Sequence, residues 1–526
     1  MIEPQGDKSP AQPLDYAATI AAAKDAVQHA HYDRALALVS SAHDWPPPYN
    51  EEGTLYRVAA LCARDPVAAL EELVHAKDIF KTQGGRFGYL IASGRAYANT
   101  RSFESAAGMF GDAAAVAPEL GKEEVALLAY SNARLKWLKR ENDPNCGELD
   151  IAMRDGSVNT RFLAQVVRGW MYIGLEDYRA FVKELKEAIE LALQNPGECN
   201  AEALGLTIHS LLRCAFELGD EAAYATAEAA MEQLEWTPDL QLDRFHSLRT
   251  LAWHAFLHGH SARAQWLFKD AKNAAPSAAW KVMSHLDRAY VARMNMNEIW
   301  ATEELFEANR LARSVAWAET RGAERTTLTT LAIMFAPTDM AKAQRYISTY
   351  IGLGVENINP TMALSFDKRS AAFERYASGR IHQVLGNKEL ASQLLQAAYE
   401  TFTKAEHHYR SAEAAYALYE TTREAKWLEA AQGHAQRFPN SPLAERLADE
   451  VPTDDDAAPT PFQSLSTTER EIAIAYCHGS EIPELQERFG RSAKVIEHYL
   501  KTIFEMLGVS NRSELRTALS ESGLSY

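Results

Sequence analysis

Cysteine is scarce. Cys62, Cys146, Cys199, Cys214 and Cys477 are spread over 526 residues with no CxxC pair. That argues against a disulfide framework and fits a reducing cytoplasm. No run approaches the roughly 18 apolar residues a membrane span needs, and residues 1–13 lack a basic segment followed by an apolar one, so neither a span nor a signal peptide is expected. Strand-type alternation of Val, Ile and Thr is nearly absent. Basic charge is also short: 54 Lys and Arg against 71 Asp and Glu leave a net charge of −17. Any contact with nucleic acid must therefore come from a local patch. There is no GxxxxGK[ST] loop, no phosphoacceptor receiver pattern, and no Ser/His/Asp, Cys/His or paired-carboxylate arrangement at a catalytic spacing. Neither an enzyme nor a cofactor is expected.

What remains is helix. Apolar residues make up 47% of the chain, enough for a large core. From residue 14 to 448 they recur at spacings of three and four, which predicts an all-α region. Short breaks at Gly219, Gly259, Asn297, Thr338 and Gly386 are 40, 38, 41 and 48 residues apart. A period near forty, with two helices per unit, predicts a helical solenoid whose hairpins stack to share a core. Two stretches resemble tetratricopeptide repeats. One runs from Gly94 and Tyr97 through Phe103 and Ala106 to Pro118, the other from Phe256 and Gly259 through Ala264, Phe268 and Ala271 to Pro276. In that family the small residues sit where helices approach closely and the proline closes the second helix.

Residues 449–464, acidic and rich in proline, read as a linker. A separate module follows over residues 465–526. Ser466 and Glu469 form a capping-box pattern opening a first helix that Gly479 closes. A second helix over 481–489, a turn at Gly490, a third helix capped by Ser492 and ending at Gly508, and a fourth capped by Asn511 complete it. On the third helix Ile496, Tyr499, Leu500, Ile503 and Leu507 make one apolar stripe, and Lys494, Glu497, His498 and Lys501 fall opposite.

The series Leu465-Ser466-x-x-Glu469, Gly479, Ile496 to Lys501, and Leu507-Gly508-Val509-Ser510-x-Arg512-Ser513-Glu514-Leu515 resembles the LuxR-type helix-turn-helix domain of bacterial transcription regulators. The resemblance implies that Glu497, His498 and Lys501 face base edges and that Arg491, Lys494 and Arg512 meet phosphates. It also implies a promoter site as partner, homodimerisation through the last helix, RNA polymerase as a further partner, and a nucleoid-associated place in the cytoplasm. The repeats would then sense a peptide, protein or small-molecule effector in their groove. The maltose-regulator class carries an ATPase ahead of its repeats; here no such motif is found. Four positions depart from the family: Gln486 for a small Ala, Val495 for Thr, Glu497 for Lys and Tyr499 for His. Over residues 463–526, seven basic and nine acidic residues give a balance of −2, where DNA binders are usually locally basic. That balance motivates an alternative, a non-enzymatic adaptor with a degenerate helix-turn-helix.

His254 and His258, an i, i+4 pair with His260 nearby, could bind a metal. With no HExxH pattern or adjacent cysteine, they are read as packing or repeat-surface residues, and no metal is expected. Trp253, Trp266, Tyr290, Trp300 and Trp317 could line a ligand groove but are read as core.

Overall fold

The computed structural model describes residues 15–353 apart from 296 and 321, residues 368–450 apart from 449, and residues 465–521 apart from 466 and 490. Both the leading tail (1–13) and nearly all of the acidic linker lie outside the described residues, as do Ser466 and Gly490. The chain divides into two compact units, residues 1–451 and 452–526. Among the described residues every regular element is helical, and no helix is long and apolar enough to cross a membrane.

Eleven antiparallel helical hairpins build the described part of the first unit, from Tyr16–Gln28 with Tyr32–Leu38 to His408–Thr422 with Ala425–Ala435. Each packs on the next, giving a tetratricopeptide-like solenoid. The five breaks expected from the sequence are all turns within hairpins. Gly219, Gly259 and Gly386 take left-handed φ values of 70°, 81° and 78°, which glycine adopts without steric cost. Asn297 and Asp339 instead cap the helices they precede, accepting from the Trp300 and Lys342 amides at 3.1 and 3.0 Å. Other hairpins turn without glycine. Arg101 (φ 63°) joins Gln83–Asn99 to Phe103–Leu120, and Glu176 (φ 63°) joins Val158–Gly174 to Tyr178–Gln194.

The tetratricopeptide-like positions hold the core. Phe256, Ala264, Phe268 and Ala271 are buried, and each Phe side chain contributes roughly 1.5–3 kcal/mol by leaving water. Gly94 is where two helices touch: a Cβ there would meet the Phe110 ring at 2.3 Å. Pro118 departs from expectation. It does not close its helix, which runs on to Leu120 and ends at Gly121.

Successive superhelical turns also meet. The Thr237 hydroxyl donates to the Ala30 carbonyl at 2.9 Å across 207 residues, Arg64 pairs with Asp239 at 2.7 Å, and Gln28 donates to the Gly197 carbonyl at 2.6 Å. One turn further on, Arg179 donates to Glu406 at 3.2 Å across 227 residues, and Lys404 pairs with Glu176 at 2.7 Å. The solenoid is thus wound tightly enough for its own coils to lock together.

The second unit is a four-helix module: Thr467–Cys477, Ile482–Phe489, Ala493–Leu507 and Arg512–Glu521. Gly508 ends the third helix with a left-handed φ of 65°. Asn511 Oδ1 accepts from the amides of Ser513 and Glu514 at 3.0 Å, and the Glu514 carboxylate reaches back to the Ser510 amide at 2.7 Å. Ser492 occupies the N-cap position with extended backbone, but its side chain makes no capping bond.

Candidate functional site

Two sites emerge, one in each unit. In the first, the inner faces of Ala201–Leu218, Gln241–Leu257, Ala278–Met294 and Gly322–Phe335 enclose a cavity of about 360 Å³, roofed by residues from Lys368–Val384 and 407–413. Lining positions recur every three or four residues, as in His246, Arg249, Trp253 and Leu257, because each helix turns one stripe inward.

Aromatic rings and paired charges line it together. Asp287, 3% exposed, accepts from Arg249 Nη2 at 3.0 Å and from Trp253 Nε1 at 3.2 Å. The Tyr290 hydroxyl donates to Glu413 at 2.8 Å and meets the Tyr409 hydroxyl at 2.7 Å, while Arg410 pairs with the other Glu413 oxygen. Glu217 receives Arg213 at 3.1 Å and lies 3.2 Å from His407 Nε2. Each cavity arginine therefore has a carboxylate, as burial of charge requires. Burial, reinforced by Glu413, pushes the Tyr290 phenol well above its ordinary range, so it stays a protonated donor. His246 stacks on His209 at 4.7 Å and lies edge-on to Trp280 at 4.6 Å. Burial, with His209 and the nearby Arg249 and Arg213, holds its imidazole well below the usual range. The cavity thus offers apolar surface with a few fixed polar groups, the usual make-up of a small-ligand site.

Of the aromatic residues weighed from sequence, Trp253 and Tyr290 line this cavity. Trp266 is 60% exposed, Trp300 stacks under Arg288 and donates to Glu304, and Trp317 packs against the neighbouring core. Sequence reasoning misses the polar stripe of His209, Arg213, Asp243, His246, Arg249 and Asp287, whose signal is charged residues at helical spacing on faces otherwise set for burial.

In the second unit, Ile496, Leu500 and Ile503 are buried with Leu465, Ile472, Leu485 and Leu515, and Tyr499 and Leu507 pack against them. Lys494, Glu497, His498 and Lys501 are exposed and gathered on one side of the third helix, and Arg491 is half-buried just before it. Lys501 lies 3.7 Å from Glu505, both open to solvent. Arg512 is placed otherwise. Its guanidinium lies 4.0 Å over the Tyr476 ring, donates to the Ser480 carbonyl at 2.9 Å and pairs with Glu481 at 3.0 Å. It ties the start of the fourth helix to the end of the first. Arg470 donates to the Leu465 carbonyl at 2.9 Å, and Arg516 to that of Cys477. The structural duty of these arginines is invisible in the sequence, because each meets a backbone carbonyl that no motif encodes.

No family model matches the chain, and neither does any curated protein. Among solved structures the chain is similar to the apo form of the quorum sensor NprR from B. thuringiensis, at 15% identity and a TM-score of 0.37, over 64% of this chain and 98% of that one. It is also similar to a Rap protein complexed with Competence and Sporulation Factor, at 13% identity and a TM-score of 0.36, over 67% and 99%. The repeat architecture stands on the chain's own stacked hairpins, and these distant likenesses add no argument to it.

Proposed function

We propose that the chain is a DNA-binding transcription regulator of the LuxR helix-turn-helix type, without catalytic activity, whose repeats take an effector in the aromatic cavity. The observation that carries this reading is the clean division of helix Ala493–Leu507. Its apolar stripe is the core of the module, and Lys494, Glu497, His498 and Lys501 stand together in solvent. A recognition helix presents this arrangement to a major groove. Lys501 is suited to donate to a guanine, Glu497 to accept from a cytosine amine, and Arg491 and Lys494 to meet phosphates. Arg512, engaged within the module, acts by positioning. Dimerisation would double the phosphate contacts, and RNA polymerase would be the downstream partner. The cavity size suits a small molecule or a few side chains of a peptide.

The experiment is selection of bound sequences from random DNA at low salt, followed by Lys501→Ala on the selected site. Stability should stay within about 0.5 kcal/mol, and specific binding should weaken by about 1–3 kcal/mol. A second reading, the protein-interaction adaptor, is favoured by the −2 balance and by arginines turned inward. A flat salt dependence of binding to nonspecific DNA would select it over the regulator.

A further inference from the structure

We infer that Glu221, His254 and His258 form a binding site for a borderline transition-metal ion of the Zn²⁺ class, between the sixth and seventh hairpins. His254 and His258 lie one turn apart on Gln241–Leu257 and its C-cap, with ring centroids 4.1 Å apart. Glu221 comes from the neighbouring hairpin. It is the first residue of Glu221–Gln233, a helix started by the left-handed Gly219 and by the Asp220 side chain, which caps the Ala223 amide at 3.0 Å. That start sets the Glu221 carboxylate over the two rings, with Oε2 3.5 Å from His254 Nε2 and Oε1 3.8 Å from His258 Nε2. One ligand atom from each residue falls within 4.8 Å of the others. Tetrahedral zinc with bonds near 2.0–2.1 Å needs ligand atoms about 3.3–3.5 Å apart, so a modest contraction of the three side chains completes the set.

The surroundings of the rings favour a cation. His258 Nδ1 lies 2.9 Å from the His254 carbonyl, which can only accept, so Nδ1 carries a hydrogen and Nε2 is the nitrogen left to face a metal. A backbone carbonyl behind a ligating imidazole is a frequent second partner at metal sites. His254 Nε2 is buried with only the Glu221 carboxylate near it, too distant at 3.5 Å for a good hydrogen bond, a poorly satisfied state for a buried polar atom that a metal ion would relieve. The ring itself is fixed by stacking on Tyr224 at 3.9 Å, and Arg263, whose charge reaches it, is paired with Glu228. Two imidazoles and one carboxylate suit Zn²⁺, Co²⁺ or Ni²⁺ rather than Mg²⁺ or Ca²⁺. Three protein ligands leave a position for water, and closure of the set would pin the start of one hairpin's second helix to the next hairpin.

The proposal is independent of DNA binding and of the cavity. It is tested on the full chain by titrating Zn²⁺ against a chromophoric chelator. We expect one tight site per chain, weakened at least about tenfold by His258→Gln and by Glu221→Gln. Both side chains are solvent-facing, at 30% and 66% exposure, so folding should survive, with unchanged helical circular dichroism as the check. His434→Gln, which removes a ring paired with His408 at 3.3 Å elsewhere in the unit, should leave the stoichiometry intact. Absence of a stoichiometric site, or zinc affinity unchanged in both the His258 and Glu221 variants, would overturn the assignment.

Discussion

Acidification should loosen the cavity wall through His246. The folded imidazole is held well below its ordinary range by burial, by His209 and Arg213 on the neighbouring helix and by Arg249 on its own; Asp243, one turn earlier, lies 3.7 Å from His209. The unfolded ring titrates near 6.5. Between these values the unfolded state binds the proton that the folded state refuses, so stability is complete above about pH 6.5 and is lost as the pH falls below it. From pH 7.5 to 5.5, a group that stays neutral when folded costs about 1.4 kcal/mol, or tenfold in the opening equilibrium. Other groups titrate over the same interval, so the informative quantity is the difference between wild type and His246→Asn. Amide hydrogen exchange across Gln241–Leu257, corrected for intrinsic rates, should show about tenfold more loss of protection in wild type than in the variant. Equal losses in the two proteins would falsify the reasoning, since the proton would then be taken up elsewhere.

Arg512→Ala should destabilise the second unit by about 1–3 kcal/mol, because it removes the Tyr476 stack and leaves the Ser480 carbonyl without its donor; exchange protection across residues 467–521 reads this, and an unchanged value with weakened nonspecific DNA binding would return Arg512 to the phosphate contacts. Gly94→Ala should cost about 1–3 kcal/mol by overpacking against Phe110. Gly108→Ala, on the exposed side of the facing helix with nothing within 4 Å of its Cβ, should instead stabilise by about 0.5–1 kcal/mol. Urea melts of the two variants should move in opposite directions.

The helical period and the turn glycines made the hairpins legible, because local propensity and burial agree there. Hairpins turned by Arg101 or Glu176 were harder to place, since no side-chain signature marks a left-handed non-glycine residue. The buried stripe of the third module helix could be read from spacing alone, and so could its exposed face. The cavity could not. Its residues come from helices separated by up to 243 positions, from Trp170 to Glu413, and their convergence depends on superhelical winding, which period does not encode. The pairing of Glu221 with His254 and His258 was hidden for the same reason: the histidines share a helix, whereas the carboxylate arrives from the preceding hairpin.

The locking of successive coils bears on how such a chain can change over time. An open array of repeats can gain or lose a unit and simply become longer or shorter. Here Thr237 must find Ala30, and Lys404 must find Glu176, at fixed distances along the chain. Duplicating or deleting one forty-residue hairpin between such partners would rotate every later element by one step and leave the seams mismatched. Gain or loss of a repeat between these partners should therefore cost the seams, and variation is expected to fall on substitution along the inner stripe before growth of the array.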